Sequence, residues 1–198
     1  MENSTDKKMT GGEAIVKSLI NEGVKTIFGL PGIQLDPMFN SLHESSNEIR
    51  VINARHEQGV AYMAFGYAQS TGKPGVYAVV PGPGILNTTA ALSTAYACNS
   101  RVLAITGQIP SSYIGRGGGM LHEIPNQLSV LEGLTKFAKR INYPSDAPAI
   151  VSEAFKNMRS GRPRPTAIEM PMDIMQHKSE VTLRKFTDGY SPPAADPD

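Results

Sequence analysis

Four short loops hold the residue types in this 198-residue sequence that are best suited to chemistry. Each loop directly follows a predicted strand. The loops read Gly29-Leu30-Pro31-Gly32, Arg55-His56-Glu57-Gln58, Pro81-Gly82-Pro83-Gly84 and Gly107-Gln108-Ile109-Pro110. Glu57 is their single carboxylate, and no other Asp or Glu occurs between it and Glu123. We therefore expect any acid–base chemistry of these loops to centre on Glu57.

Glu57 opens a predicted helix in which residues 60–68 are apolar on all sides. This pattern is typical of a buried helix rather than of an amphipathic surface helix. One interpretation of Glu57 is a charge–dipole pairing at the helix start, which stabilises a protein by about 0.3–1 kcal/mol. The other is a carboxyl kept away from water, which can share a proton with a ligand nitrogen. Arg55 and His56 are interpreted as structural hydrogen-bonding residues, because their side chains should point away from Glu57.

The same loops lack the pattern of a phosphate cradle. A dinucleotide site needs Gly-x-Gly-x-x-Gly after the first strand and a P-loop needs its lysine motif, and neither occurs. Pro31, Pro81 and Pro83 also remove backbone N–H donors where a phosphate would need them. The glycine-rich stretch 115–119 has no strand directly before it, so we interpret it as a mobile loop without a ligand. No metal site is predicted.

Apolar β-rich runs alternate with helical patterns along the chain. The alternation predicts a doubly wound α/β fold, in which a parallel six-stranded sheet carries helices on both faces. The predicted strands are 24–29, 50–53, 75–80, 102–106, 137–141 and 166–170. The predicted helices are 10–22, 36–43, 57–70, 85–97, 126–131 and 147–159. Ligands of such sheets bind at the carboxyl ends of the strands, where the four loops lie.

One domain over residues 10–178 accounts for these elements, with a disordered tail at 1–9 and a linker or tail at 179–198. The formal net charge of +1 disfavours nucleic-acid binding. No stretch has the length and hydropathy of a membrane span, and the start lacks a signal-peptide pattern. The single cysteine, Cys98, fits a reducing compartment. We therefore expect a cytoplasmic protein without membrane contact.

Charge is missing over a long stretch of the chain. Between Gln58 and Ser100 the only charged residue is Lys73. Because depletion of charge marks the cores of interfaces, this stretch is expected to be covered. The cover is either the rest of the fold or a second subunit, and the sequence leaves both open.

Residues from all four loops resemble one known family. They are 27–32, 55–61 with 65–68, Gly82-Pro83-Gly84 with Asn87, and Thr106-Gly107-Gln108-Ile109-Pro110. In this order and spacing they are similar to the pyrimidine-binding N-terminal domain of thiamine-diphosphate enzymes of the acetolactate synthase and pyruvate decarboxylase group. The resemblance runs from about Thr10 to Met175, and it is specific because four separate loops agree.

The resemblance implies a role for individual residues. Glu57 would hydrogen-bond N1′ of the cofactor's aminopyrimidine, and proton sharing there would favour the imino tautomer that activates the thiazolium carbon. By similarity, Pro83, Gly84 and Asn87 would line the pyrimidine, and Gly32 would lie near the cofactor. Gln108 and His122 are the candidates for the substrate end.

The resemblance also implies a second subunit and a missing part. In this family one subunit holds the pyrimidine and another holds the diphosphate, so the charge-poor helices would form the contact of a homo-oligomer, a dimer or tetramer. The Gly-Asp-Gly motif for Mg²⁺ and diphosphate occurs nowhere in the chain. We therefore expect a fragment that is inactive alone, with Mg²⁺ bound by an absent C-terminal domain and FAD as an additional candidate in the full-length enzyme.

One departure from the family concerns the substrate. Acetolactate synthases carry Ala-Phe-Gln-Glu in the loop after the Gly-Gln-x-Pro turn, whereas this chain has Leu121-His122-Glu123 after a glycine-rich lead. The implied activity is therefore carboligation or decarboxylation of a 2-oxo acid that the sequence does not specify. Two alternatives stay open, namely a noncatalytic interaction module of the same fold and an unrelated nucleotide-binding α/β protein.

Overall fold

A computed structural model describes residues 7–183, and its central element is a parallel sheet. The strands are β1 (Lys7–Thr10), β2 (Thr26–Gly29), β3 (Arg50–Asn53), β4 (Gly75–Val79), β5 (Val102–Gln108), β6 (Phe137–Arg140), β7 (Thr166–Pro171) and β8 (Lys178–Val181). Six of them form a sheet in the order β3-β2-β4-β5-β7-β6, and every neighbouring pair is parallel. The prediction of a six-stranded, all-parallel sheet is confirmed.

Helices cover both faces of this sheet. They are α1 (Gly11–Asn21), α2 (Asp36–Glu44), α3 (Glu57–Thr71), α4 (Pro83–Leu86), α5 (Thr89–Ala97), α6 (Gln127–Leu134), α7 (Ala147–Arg159) and α8 (Met172–Gln176). One core lies under α1, α2 and α7, and the other lies under α3, α5 and α6. Strand β4 serves both cores because its side chains alternate, with Val76 in the first and Tyr77 in the second. The doubly wound architecture is thus confirmed.

The first helix shows how the sequence sets an element boundary. Thr10 accepts a hydrogen bond from the Glu13 backbone N–H at 3.1 Å, and the Glu13 carboxylate accepts one from the Thr10 N–H at 2.7 Å. This reciprocal pair is a capping box, and it satisfies two N–H groups that the helix start leaves free.

Among the described residues, no helix combines the length and apolar character needed to cross a membrane.

The folded unit extends further at both ends than the sequence predicted. Strands β1 and β8 pair in an antiparallel ribbon, with Lys7 opposite Val181 and Thr10 opposite Lys178. Residues 7–9 and 179–181 therefore belong to the folded unit, which corrects the expected boundaries at 10 and 178. Only Met9 and Val181 of the ribbon are buried, so the apolar signal was too short to reveal a strand. The remaining residues of both tails, 1–6 and 184–198, lie outside the described residues.

The predicted helix 85–97 is two helices. Its first turn starts earlier than predicted, at Pro83, and α4 then ends before Thr88. The fully buried Thr88 hydroxyl donates to the Ile85 carbonyl at 2.7 Å and accepts from the Tyr77 hydroxyl at 2.8 Å. These bonds to a side chain of β4 fix a bend between the two helices, which helical periodicity cannot reveal.

Helix α3 is buried on one face in the single chain, which leaves cover of its other face by a second subunit as a prediction. Val60, Ala61, Ala64 and Ala68 pack on the sheet. The outer side chain Tyr62 is 39% exposed in the single chain. The helix ends at Gly72, whose φ of 68° is a left-handed conformation that glycine adopts without strain.

Candidate functional site

The loops that follow β2, β4 and β5 meet tightly at the carboxyl edge of the sheet. A Cβ atom on Gly32 would lie 2.4 Å from Cγ1 of Val80, and one on Gly84 would lie 2.5 Å from Cγ2 of the same valine. A Cβ atom on Gly107 would lie 3.0 Å from the Gln34 carbonyl oxygen. Glycines in the loops after β2 and β4 and at the end of β5 thus allow these segments to approach closely.

Glu57 lies at this edge as the first residue of α3, and its side chain bonds across to the β4 loop. The Asn87 Nδ2 group donates to Glu57 Oε2 at 3.0 Å. The second oxygen, Oε1, has no hydrogen-bond partner among the described residues and lies 3.8 Å from the Cβ position of Gly84. The half-buried carboxylate therefore presents one free acceptor beside a residue with no side chain.

The residues before Glu57 begin its helix. His56 is the N-cap, and its Nδ1 atom accepts a hydrogen bond from the Gln58 backbone N–H at 3.1 Å. The side chain of Arg55 is exposed. His56 therefore has the structural hydrogen-bonding role that the sequence predicted, and it fixes the direction in which α3 starts.

The Pro81–Gly84 segment is a tight turn, closed by a bond from the Gly84 N–H to the Pro81 carbonyl at 3.2 Å. Gly82 has φ 58° and ψ −119°, the values of the first central residue of a type II′ turn. A Cβ atom at Gly82 would lie 2.3 Å from the carbonyl oxygen of His122. Glycine is therefore required at position 82 by both its backbone conformation and the space available.

Asn87 is held in place by the bend between α4 and α5. Its backbone N–H donates to the Pro83 carbonyl at 3.0 Å, and the next residue, Thr88, is bonded to Tyr77 of β4. Burial raises the pKa of the Tyr77 hydroxyl, while its bond to Thr88 acts in the opposite direction. The hydroxyl therefore stays protonated and donates to Thr88 at physiological pH.

A buried polar network behind the turn was missed by the sequence analysis. The fully buried Glu169 carboxylate accepts from Arg140 Nε at 2.6 Å and from Gln127 Nε2 at 2.7 Å. Gln127 also donates to the Gly107 carbonyl at 3.0 Å and accepts from the Gly82 N–H at 2.8 Å. The available signal was a single charged residue, Glu169, in the short strand β7.

Gln108 and His122 lie at this edge, and neither forms a hydrogen bond with Glu57. Gln108 is buried, and its Oε1 atom accepts from the neighbouring Ile109 N–H at 2.7 Å. It lines a cavity of about 140 Å³ together with Gln127 and Arg140. His122 is half-buried, with φ 69° and a buried Nδ1 atom that has no hydrogen-bond partner among the described residues. The structure therefore connects His122 to the site through its carbonyl, which packs against Gly82.

The glycine-rich loop before His122 is anchored from within. The Glu123 carboxylate accepts hydrogen bonds from the Gly117 N–H at 3.1 Å and the Met120 N–H at 2.8 Å. Among the predicted site residues, the structure thus groups Glu57, Asn87, Gly84 and Gly32, with Pro83 exposed at the start of α4. Within residues 7–183 there is no cluster of three or more His, Cys, Asp or Glu side chains arranged to hold a metal.

Comparisons with known proteins place the sequence of this chain in one family. Residues 9–130 match the family described as "Thiamine pyrophosphate enzyme, N-terminal TPP binding domain". The chain is 38% identical over 169 residues to a probable 2-ketoarginine decarboxylase of Pseudomonas aeruginosa, covering 85% of the chain and 30% of that protein. It is 41% identical over 170 residues to an acetolactate synthase of Arthrospira platensis, covering 85% of the chain and 29% of that protein.

A third relative extends the match. The chain is 35% identical over 178 residues to the large subunit of acetolactate synthase isozyme 1 of Escherichia coli, covering 90% of the chain and 31% of that protein. In each case the chain spans about 30% of the length of the relative. The family match covers more than half of the chain, and the relatives agree with it. This chain belongs to the thiamine pyrophosphate enzymes, as a member of their N-terminal TPP-binding domain family.

Proposed function

We propose that this chain is the pyrimidine-binding part of a thiamine-diphosphate-dependent enzyme that acts on 2-oxo acids. One observation carries the proposal. Glu57 has one carboxylate oxygen held by Asn87 and the other free beside Gly84, at the carboxyl edge of a parallel sheet. A free acceptor next to bare backbone suits a flat heterocycle whose ring nitrogen shares a proton with the carboxylate.

In this proposal each residue of the site has a separate task. Glu57 holds or releases a proton at the N1′ position of the aminopyrimidine. Asn87 fixes the rotation of the Glu57 carboxylate through the 3.0 Å bond to Oε2. Pro83, Gly84 and Gly32 form the surface against which the ring packs. When bound, thiamine diphosphate supplies the carbanion chemistry on the 2-oxo acid, and the protein supplies orientation and proton control.

The diphosphate end of the cofactor is assigned elsewhere. The 198 residues contain no Gly-Asp-Gly motif, so we place the Mg²⁺ and diphosphate contacts outside this chain. We assign no residue of this chain to binding of FAD.

The low cysteine content of the sequence is the basis for proposing a cytoplasmic location.

The reaction is proposed as decarboxylation or carboligation of a 2-oxo acid. Among the relatives, one bears the name of a decarboxylase and two bear the name of acetolactate synthase. His122 and Gln108 are proposed for the substrate end. The Nδ1 atom of His122 has no protein partner, and Gln108 lines the cavity of about 140 Å³ at the same edge.

The full-length protein, stripped of cofactor by dialysis, provides the test. We expect it to release CO₂ from pyruvate or 2-ketoarginine only after thiamine diphosphate and Mg²⁺ are added together. Addition of Mg²⁺ alone is the control. Turnover that needs no thiamine diphosphate would contradict the proposal, and cofactor binding without turnover of any 2-oxo acid would support a noncatalytic module instead.

We further propose that a second copy of the chain covers an uncharged face beside Glu57. Helices α3 and α5 lie side by side on this face, and the Tyr62 hydroxyl is 3.3 Å from Oγ1 of Thr94. Its exposed residues include Gly59, Tyr62, Gly66, Leu86, Ala90, Ser93 and Ala97. A continuous face without charge, next to a half-exposed catalytic candidate, fits a subunit contact that completes the site.

A charge placed on this face is expected to separate the subunits. Tyr62→Glu would bury a carboxylate in the contact without a partner, which is costly, so the mass of the particle should fall to that of one chain. Light scattering measures this mass. Gln176→Glu, which adds the same charge at an exposed position of α8, is the control and should leave the mass unchanged. A wild-type particle of one chain would contradict the proposed contact.

A further inference from the structure

We propose that Gln127 is a positioning residue, which links the buried Glu169 carboxylate, paired with Arg140, to the turn that places Asn87 against Glu57. The proposal rests on the proposed function for the importance of Glu57, but its structural content stands separately. Gln127 lies on α6, outside the four loops, and is fully buried. Its three hydrogen-bonding partners come from β7, from β5 and from the Gly82 turn.

The chemistry of its partners allows only one orientation of the Gln127 amide. The Gly107 carbonyl oxygen is an acceptor, and so is the Glu169 carboxylate that pairs with Arg140. The end that faces them must therefore be the NH₂ group, whose two hydrogens are both used. Oε1 is then turned to the Gly82 N–H, which is a donor. All three partners require the same orientation of the Gln127 amide, so this side chain is fixed in place. We call the Gln127 side chain the strut below.

The Glu169 carboxylate explains why this strut does not rotate. Both of its oxygens are bonded, one to Arg140 at 2.6 Å and one to Gln127 at 2.7 Å, and the side chain has no exposed surface. Loss of either bond would leave a buried carboxylate oxygen without a hydrogen-bond partner, so the network resists rearrangement. The acceptor Oε1 of Gln127 is thus held at a constant place behind the turn.

A continuous path of bonds leads from Gln127 to the candidate site. The Gly82 N–H donates to Oε1 of Gln127, and the Gly82 carbonyl accepts from the Leu86 N–H at 3.0 Å in the first turn of α4. Helix α4 ends at Leu86, and the next residue, Asn87, donates from its side chain to Glu57 at 3.0 Å. A shift of Gly82 therefore shifts the base of α4, and with it the donor that sets the rotation of the Glu57 carboxylate.

The test uses the 198-residue chain and does not depend on cofactor. Gln127→Met keeps the side-chain length but leaves the Gly82 N–H, the Gly107 carbonyl and Glu169 without their partner. NMR should show amide exchange at Gly82 faster by about tenfold or more, because local opening controls exchange. The Asn87 side-chain NH₂ signals should move towards those of a solvated amide.

The matched control is Thr135→Val, which removes a buried hydroxyl from the end of the same helix. That hydroxyl donates to the Leu131 carbonyl at 2.7 Å and does not touch the turn. It should lower stability to urea while leaving the Gly82 and Asn87 signals unchanged. Unchanged Asn87 signals in Gln127→Met, or equal changes in both variants, would overturn the positioning role.

Two further measurements keep the proposal decidable. Should Gln127→Met not fold, the wild-type chain alone gives an answer, because a Gly82 amide that exchanges as fast as an exposed loop amide would contradict the strut. Gln127→Asn, which keeps the amide but is one methylene short, should give an intermediate shift of the Asn87 signals. Failure of the proposed function would appear separately, as normal turnover of Glu57→Gln in the full-length protein.

Discussion

Glu57→Gln is expected to lower turnover of the full-length protein by about 10²–10⁴-fold, the range typical of losing a positioned acid–base group. Glutamine keeps the length of the side chain and can still accept the Asn87 bond through its oxygen. Its NH₂ group then takes the place of Oε1, the acceptor that is free beside Gly84. A donor at that place cannot take up the proton of a ring nitrogen, so the chemistry is lost while the fold is kept.

Steady-state turnover of the 2-oxo acid, with thiamine diphosphate in excess, measures the effect. The control is Glu44→Gln. Glu44 is an exposed glutamate in the last turn of α2, and it forms no hydrogen bond with the described residues of the candidate site. It should retain wild-type turnover. Circular dichroism and thermal melting of both variants should match the wild type. Normal turnover of Glu57→Gln would rule out the proposed role of this carboxylate.

Arg140→Met is expected to destabilise the chain by about 3–5 kcal/mol, because it leaves a buried carboxylate without its cation. Glu169 has no exposed surface, whereas the Arg140 side chain is 26% exposed and reaches it from the neighbouring strand β6. The distance of 2.6 Å makes this a charge-assisted hydrogen bond as well as an ion pair. Urea denaturation gives the free energy of unfolding.

The adjacent residue offers a matched control. Lys139 on the same strand pairs with Glu153 at 2.9 Å, but the two side chains are 48% and 43% exposed. Lys139→Met should therefore cost no more than about 1 kcal/mol. The double replacement Arg140→Met with Glu169→Leu should recover part of the loss, since no unpaired charge is then buried. An equal loss of unfolding free energy in Arg140→Met and Lys139→Met would contradict the conclusion that Glu169 is buried and depends on Arg140.

The fold was largely accessible to sequence reasoning because its signals are local. Capping by Thr10, the stop at Gly72 and the alternation of strands and helices all act within a few residues. The β1–β8 ribbon pairs segments from opposite ends of the chain and buries only Met9 and Val181. The bend at Thr88 depends on the hydroxyl of Tyr77, eleven residues away in another element. Contacts of this kind leave no periodic pattern.

The candidate site was likewise only partly predictable from the sequence. Glu57 was recognisable because it is isolated in a long stretch without other acids, and the loops around it contain conspicuous Pro-Gly pairs. The sequence did not show which faces of its helix the single chain covers, because apolar composition does not distinguish the core from an interface. Gln127 and Glu169 were missed, since a glutamine 45 residues from its partner Gly82 gives no local signal.

The antiparallel ribbon of β1 and β8 has a consequence for engineering. Because paired strands run about 5 Å apart, the polypeptide enters and leaves this unit at nearly the same place. A short peptide link between residues 7 and 181 could therefore close the backbone into a ring. New ends could then be opened at the exposed Ser46–Asn47 loop, which precedes β3, whereas Glu57 follows that strand.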